Sequence, residues 1–170
     1  YYEFFQNLKF LNKLTKDKKI KIVVKLHPSE IKNSGDLSLI FPYLNFSNSS
    51  IDKLLKKSFA TLSFSSTVIE DSLNSKVPVI LFDRWKRYRH CKIPKSKDSK
   101  VPLFYVNKKE NLFSCIKKII ETDKFNFDSC IFANGYKENI KENILKLILI
   151  MKILVIGGSG FLGTNVVKNL

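Results

Sequence analysis

Residues 60–82 read ATLSFSSTVIEDSLNSKVPVILF. Ala60 to Phe64 is a short apolar run with a β-branched residue, and it reads as a strand. Ser65-Ser66-Thr67 then opens a helix that runs to about Ser75. Thr67-Val-Ile-Glu70 has the spacing of a capping box, in which the hydroxyl and the acid satisfy free N–H groups reciprocally. Val77 to Phe82 is a second apolar run and a second strand. Two strands joined through a helix are a parallel pair with a crossover. This unit places the chain in the α/β class.

Working outward, the same alternation continues. Ile20 to Leu26 (IKIVVKL) reads as a buried strand stopped at His27-Pro28, because proline cannot extend the ladder. Tyr1, Phe4, Phe5, Leu8 and Leu11 fall on one face of a leading helix. Residues 29–46 read as loop and short elements. Ser50 is a candidate cap for a helix carrying Ile51, Leu54, Leu55 and Phe59. Leu103 to Val106 is a further strand. Leu112, Ile116, Ile119 and Ile120 form one helical stripe, and Ile140, Ile144, Leu147 and Ile148 another. The expected architecture is α/β: a Rossmann-like parallel sheet with helices on both faces.

The 170 residues suffice for about one domain of ordinary size. Hydrophobic residues make 44% and charged residues 26%, a globular balance that argues against disorder. The apolar run from Ile144 to Ile156 is interrupted by Lys146 and Lys152, too short and too charged for a membrane span. Cys91, Cys115 and Cys130 are widely spaced and odd in number, so they propose neither a disulfide framework nor a metal site. A reducing, cytoplasmic setting is expected, with no signal peptide at Tyr1. The formal charge of +15 raises nucleic acid as a partner. Its make-up argues against that, since 27 of the 30 basic residues are Lys. Lys, Asn, Ile and Phe together make 73 residues while Ala occurs twice, a bias that A- and T-rich codons explain. A basic surface lying against anionic lipid, at the inner face of a membrane, stays open.

Composition shifts at Met151. Residues 1–150 hold two glycines, and residues 151–170 hold four. The expected division is therefore one unit over 1–150 and the start of a second, truncated unit over 151–170. Lys152 to Ile156 (KILVI) reads as a strand, and Gly157-Gly-Ser-Gly160-Phe-Leu-Gly163 follows it before a helical TNVVKNL. Glycines at that spacing permit a tight turn and close approach of a pyrophosphate.

In a parallel sheet, ligands bind beyond the carboxyl ends of the strands. Three segments follow strands directly. The first is His27-Pro28, whose imidazole could donate to a phosphate or equally cap a loop. The second is Ser65-Ser66-Thr67 with Glu70 and Asp71 one turn on, where hydroxyls and free N–H groups suit a phosphate. The third runs from Asp83 onward and contains Arg84-Trp85-Lys86-Arg87-Tyr88-Arg89-His90, which holds all three arginines. Arginine suits bidentate phosphate contacts, although such a loop can also be merely solvated.

Taken together, K-x-H-P after a strand, S-S-T plus an acid about forty residues on, and P-V-I beyond it resemble the C-terminal, donor-binding domain of GT-B glycosyltransferases. More narrowly, residues 20–125 resemble the bacterial capsule and surface-polysaccharide transferases, including sialyl- and Kdo-transferase-like groups. The resemblance implies that His27, Ser65, Ser66 and Thr67 contact the phosphate of a nucleotide-sugar donor. The family's glutamate aligns with Asp71 rather than Glu70, and its small glycine before P-V-I aligns with Lys76. The implied partners are a nucleotide-sugar donor, a glycan acceptor and the N-terminal GT-B domain, which in this family generally carries the general base. Binding of donor nucleotide without turnover is expected of these residues alone.

Residues 151–170 resemble the N-terminus of NAD-dependent epimerase/dehydratases, the extended short-chain dehydrogenases. Gly157, Gly160 and Gly163 match the cofactor turn. NAD(P) would be implied only with the rest of that domain, and no cofactor is implied for 1–150. Three functions thus remain open: a glycosyltransferase fragment, an epimerase/dehydratase fragment and a basic nucleic-acid-binding module. No metal site and no catalytic residue are assigned.

Overall fold

The computed structural model describes residues 2–28, 34–63, 66, 68–86, 100–128 and the backbone of 152–156. Eleven elements follow in order: α1 (Tyr2–Lys18), β1 (Lys21–Lys25), α2 (Ser34–Ile40), β2 (Asn45–Ser47), α3 (Ile51–Leu55), β3 (Ala60–Ser63), α4 (Val68–Asn74), β4 (Val79–Phe82), β5 (Leu103–Val106), α5 (Leu112–Glu121) and β6 (Lys152–Ile156). The expected helix over 140–148 and the glycine run after Ile156 lie outside the described residues.

The six strands form one sheet in the order β2-β1-β6-β3-β4-β5. All five neighbouring pairs are parallel. The fold is therefore α/β with a Rossmann-like sheet. Beta-branched and leucine side chains alternate across it. Ile22, Val24, Leu62, Ile80 and Phe82 pack with Leu8, Leu11 and Leu14 of α1 and with Leu112, Ile116 and Ile119 of α5. On the other face, Val79 and Leu81 meet Ile69 and Leu73 of α4, and Val23 meets α3. Every residue of β3 and β4 is buried, as strands covered on both sides must be.

Four details depart from the sequence reading. Phe5, expected on the buried face of α1, is 41% exposed, and the buried set is Asn7, Leu8, Leu11 and Leu14. The face turns because a polar residue, Asn7, is drawn inward by a partner described below. Asn45–Ser47, at the end of the stretch read as loop and short elements, is the edge strand β2, paired through Val23–Asn45, Val24–Phe46 and Lys25–Ser47. Ser50 precedes α3 but makes no side-chain cap bond. That five-residue helix is fixed instead by packing, with Leu55 buried against Val77. Ile120 lies outside the buried stripe of α5, at 42% exposure.

The connection order positions the site. From β1 the chain steps outward to β2, and from β3 it steps the opposite way to β4 and β5. The direction reverses between β1 and β3, and β6 occupies the interval. Lys25, Ile156 and Ser63 stand side by side in register at the carboxyl ends of the three strands.

Candidate functional site

A reversal of strand order leaves a crevice outside the carboxyl ends of the strands that flank it, because the loops there diverge to opposite faces. In this chain the flanking strands are β1 and β3. His27 is half-buried two residues beyond β1, with Pro28 behind it. Ser66 is 4% exposed three residues beyond β3. The sequence thus singled out residues on both rims of the reversal. Ser65 and Thr67 lie outside the described residues, as do Gly157, Gly160 and Gly163. Ile156, the last residue of β6, lies between the ends of β1 and β3.

Ser66 already has local work. Its Oγ accepts from the Val68 N–H at 3.3 Å, and its carbonyl accepts from the Ile69 N–H at 3.2 Å. These bonds start α4. Glu70 and Asp71 are exposed on the first turn of α4. The Asp71 carboxyl is raised above its ordinary value, first by desolvation and then by the nearby charges of Asp52 and Glu70. Three acids in one neighbourhood repel, so this corner favours a ligand that donates hydrogen bonds, such as a sugar hydroxyl, over a phosphate.

Arg84 is placed differently from a free phosphate clamp. Its Nη1 donates to Asn7 Oδ1 at 3.1 Å and to the Gln6 carbonyl at 3.4 Å. The guanidinium also lies 4.7 Å from the Trp85 ring and 5.9 Å from the Phe10 ring. Arg84 therefore ties the end of β4 to α1, and this explains why Asn7 is buried. The remainder of the basic loop, residues 87–99, lies outside the described residues.

Two further groups stand at the same edge: Ser63, which was not singled out in the sequence, and Asp83, which opens the third segment. Ser63, the last residue of β3, is 1% exposed, and its Oγ has no hydrogen-bond partner among the described residues. Buried hydroxyls without partners are uncommon, since desolvation costs them about 1–3 kcal/mol. Asp83 directly follows β4, is buried, and accepts from the Tyr105 hydroxyl at 3.1 Å. Its N–H donates to the Val106 carbonyl at 2.9 Å, and its carbonyl accepts from Lys86. A serine closing an otherwise apolar strand, and an acid set directly after VILF, were the signals available for both.

A cavity of about 260 Å3 lies elsewhere, between the start of β1, β2 and the end of α3, lined by Lys21, Asn45, Ser47 and Lys57 among others. Among the described residues, no group of three or more His, Cys, Asp or Glu could hold a metal ion. None of the described helices is long and apolar enough to cross a membrane. Comparison with protein-family models, with curated proteins and with solved structures finds no match.

Proposed function

We propose that the carboxyl edge of the sheet binds the nucleotide of a nucleotide-sugar donor, and that residues 1–150 are the donor half of a glycosyltransferase of surface-polysaccharide synthesis. The observation that carries this reading is the reversal of strand order between β1 and β3. The strands that His27 and Ser66 follow stand on either side of β6, and the Ser63 hydroxyl at the end of β3 is buried with no partner among the described residues. A phosphate there would accept from the imidazole and from hydroxyls, which stabilises negative charge developing on a nucleotide leaving group. The donor sugar would lie toward Glu70 and Asp71. Arg84 acts through α1, as a positioning residue, rather than on the ligand. No general base is assigned.

A second reading is favoured by one observation. The strand that precedes the glycine run in sequence, β6, ends beside β1 and β3. On that reading the crevice accepts the pyrophosphate of NAD(P), and the chain is an epimerase/dehydratase fragment.

Thermal shift separates the two. The whole chain is melted with CMP, UDP, GDP and NAD at matched concentrations. A ligand at a hundredfold excess over its dissociation constant stabilises by about 2.7 kcal/mol, several degrees for a domain of this size. The donor reading expects a shift with one of the three nucleotides, lost in His27→Ala and in Ser66→Ala. A shift with NAD alone would replace it with the second reading. No shift with any ligand would overturn both.

A further inference from the structure

Helix α1 has an outer face that its packing does not use. Positions 2, 5, 9, 12, 13 and 16 fall within one sector of the helix, opposite the buried Asn7, Leu8, Leu11 and Leu14. That sector begins with two aromatics, Tyr2 at 72% and Phe5 at 41% exposure. It continues with Lys9, Lys13 and Lys16, all exposed. No acid interrupts it.

The end of α2 extends the same surface. Phe5 meets Phe41 edge-to-face at 5.0 Å, which brings the segment around Phe41 alongside α1. Leu39 is 82% exposed, Ile40 52% and Tyr43 44%. Tyr43 is fixed there, since its N–H donates to Asn12 Oδ1 at 2.9 Å and Lys16 Nζ sits 5.5 Å above its ring. Aromatic and aliphatic side chains thus project from a rigid base beside a row of lysines. Isolated exposed apolar residues need no explanation, but a cluster of five on two adjoining elements does.

We propose that this surface docks onto an anionic lipid bilayer. Charge decides between the occupants. A second copy of the chain would bring lysines against lysines, and each copy carries a net +15. An anionic headgroup layer instead offers negative charge for Lys9, Lys13 and Lys16, and an acyl boundary for Leu39, Ile40, Tyr2 and Phe5. Tyrosine suits that boundary because its ring is apolar and its hydroxyl is wet. The binding is peripheral. It is independent of the donor reading, although Asn7 of α1 meets Arg84 at the carboxyl edge, so the crevice lies on the side of the fold where α1 begins.

The test is flotation of the whole chain with phosphatidylcholine vesicles, with and without phosphatidylglycerol, alongside light scattering of the free protein. The expected result is binding that requires phosphatidylglycerol, weakens with salt, and leaves the free protein monomeric. Replacing Lys9, Lys13 and Lys16 together by Gln should weaken binding roughly a hundredfold, at about fivefold per lysine. Leu39→Ser with Ile40→Ser should abolish most of the remainder, and both sites are exposed enough for the fold to survive, which an unchanged Tm would verify. Equal binding by wild type and both variants would overturn the proposal, because charge spread over the rest of the chain would then suffice. So would absence of binding, indifference to phosphatidylglycerol, or a dimer that the Leu39 and Ile40 changes disrupt.

Discussion

The Arg84 guanidinium donates to Asn7 Oδ1 at 3.1 Å, joining the carboxyl end of β4 to the first turns of α1 across 77 positions of sequence. A hydrogen bond to a charged group contributes about 1.5–3 kcal/mol, and a buried partner left unpaired costs more than the bond itself. Asn7→Leu should therefore destabilise the chain by about 2 kcal/mol. Arg84→Met with Asn7→Leu should cost less than the sum of the two single changes, because each removes the same bond. Urea denaturation of the four proteins measures this. Additive losses would show that the pair is not coupled.

Ser63 makes the opposite prediction. Its hydroxyl is buried without a partner among the described residues, so removing it relieves a desolvation cost. Ser63→Ala should raise stability by about 1 kcal/mol, or a few degrees in Tm. If the hydroxyl serves a ligand in the crevice, the same variant should show a smaller nucleotide-induced shift than wild type. Gain of stability with loss of ligand response is the signature of a group held for binding. A Ser63→Ala variant less stable than wild type would refute the structural half of the argument.

The fold was legible because βαβ chemistry is local. Strands β1, β3, β4 and β5 announce themselves as apolar β-branched runs, and His27-Pro28 marks a strand end. What the sequence hid depends on distant residues. Nothing in the periodicity of α1 says that Asn7 rather than Phe5 faces inward, since the reason is Arg84 on another element. β2 was hidden because a three-residue edge strand, Asn-Phe-Ser, has no periodicity to read. For the site, His27 and Ser66 were legible because both follow strands. Ser63 was not, because its significance lies in lacking a partner, which only the packed structure reveals. The place of KILVI in the sheet was equally hidden, because register between strands far apart in sequence leaves no local mark.

Lys76 ends α4 in a backbone conformation that favours glycine. Its φ is 60°, in the left-handed region. The Val77 N–H donates to the Ser72 carbonyl at 2.8 Å and the Lys76 N–H to the Leu73 carbonyl at 3.0 Å, the two bonds of a Schellman ending to α4. A side chain in that conformation costs about 1–2 kcal/mol, of which glycine's extra chain entropy returns about half. Lys76→Gly should raise stability by about 0.5–1 kcal/mol. The Lys76 Nζ contacts it forfeits, 3.5 Å to the highly exposed Asp128 and 5.7 Å to the Phe127 ring, are surface interactions of small value. Lys76→Ala keeps the strain and loses the contacts, so it should not be stabilising. A drop in Tm for Lys76→Gly would show that those contacts outweigh the strain.

Cys115 on α5 is half-buried against the core, and desolvation pushes its thiol up to about 12, with Lys118 opposing that shift only weakly. The ordinary thiol value is 9.0. Between these two values the unfolded chain ionises while the folded chain does not. The Cys115 thiol thus takes nothing from stability below pH 9 and lowers it as pH rises from 9 toward 12. In a variant with Cys91→Ser and Cys130→Ser, the remaining thiol should react slowly with a disulfide reagent at pH 8 and rapidly in denaturant. Cys115→Val should flatten the alkaline fall in stability. Fast labelling of the native protein at pH 8 would mean the thiol is neither desolvated nor shielded.

Strand β6 is the only described strand joining β1 to β3, with Val155 opposite Val24 on one side and Leu62 on the other. Its sequence, by contrast, reads as the opening of a second unit at Met151. Proline in a strand paired on both sides removes an N–H and collides with the neighbouring ladder, so it is not accommodated there. If β6 is integral, Val155→Pro should separate the β2-β1 pair from β3-β4-β5. Slow amide exchange in β1 and β3 should then collapse together, and thermal unfolding should lose its cooperativity. Val155→Ile should behave as wild type. Should Val155→Pro leave exchange in β1 and β3 untouched, residues 152–156 belong to a separate unit.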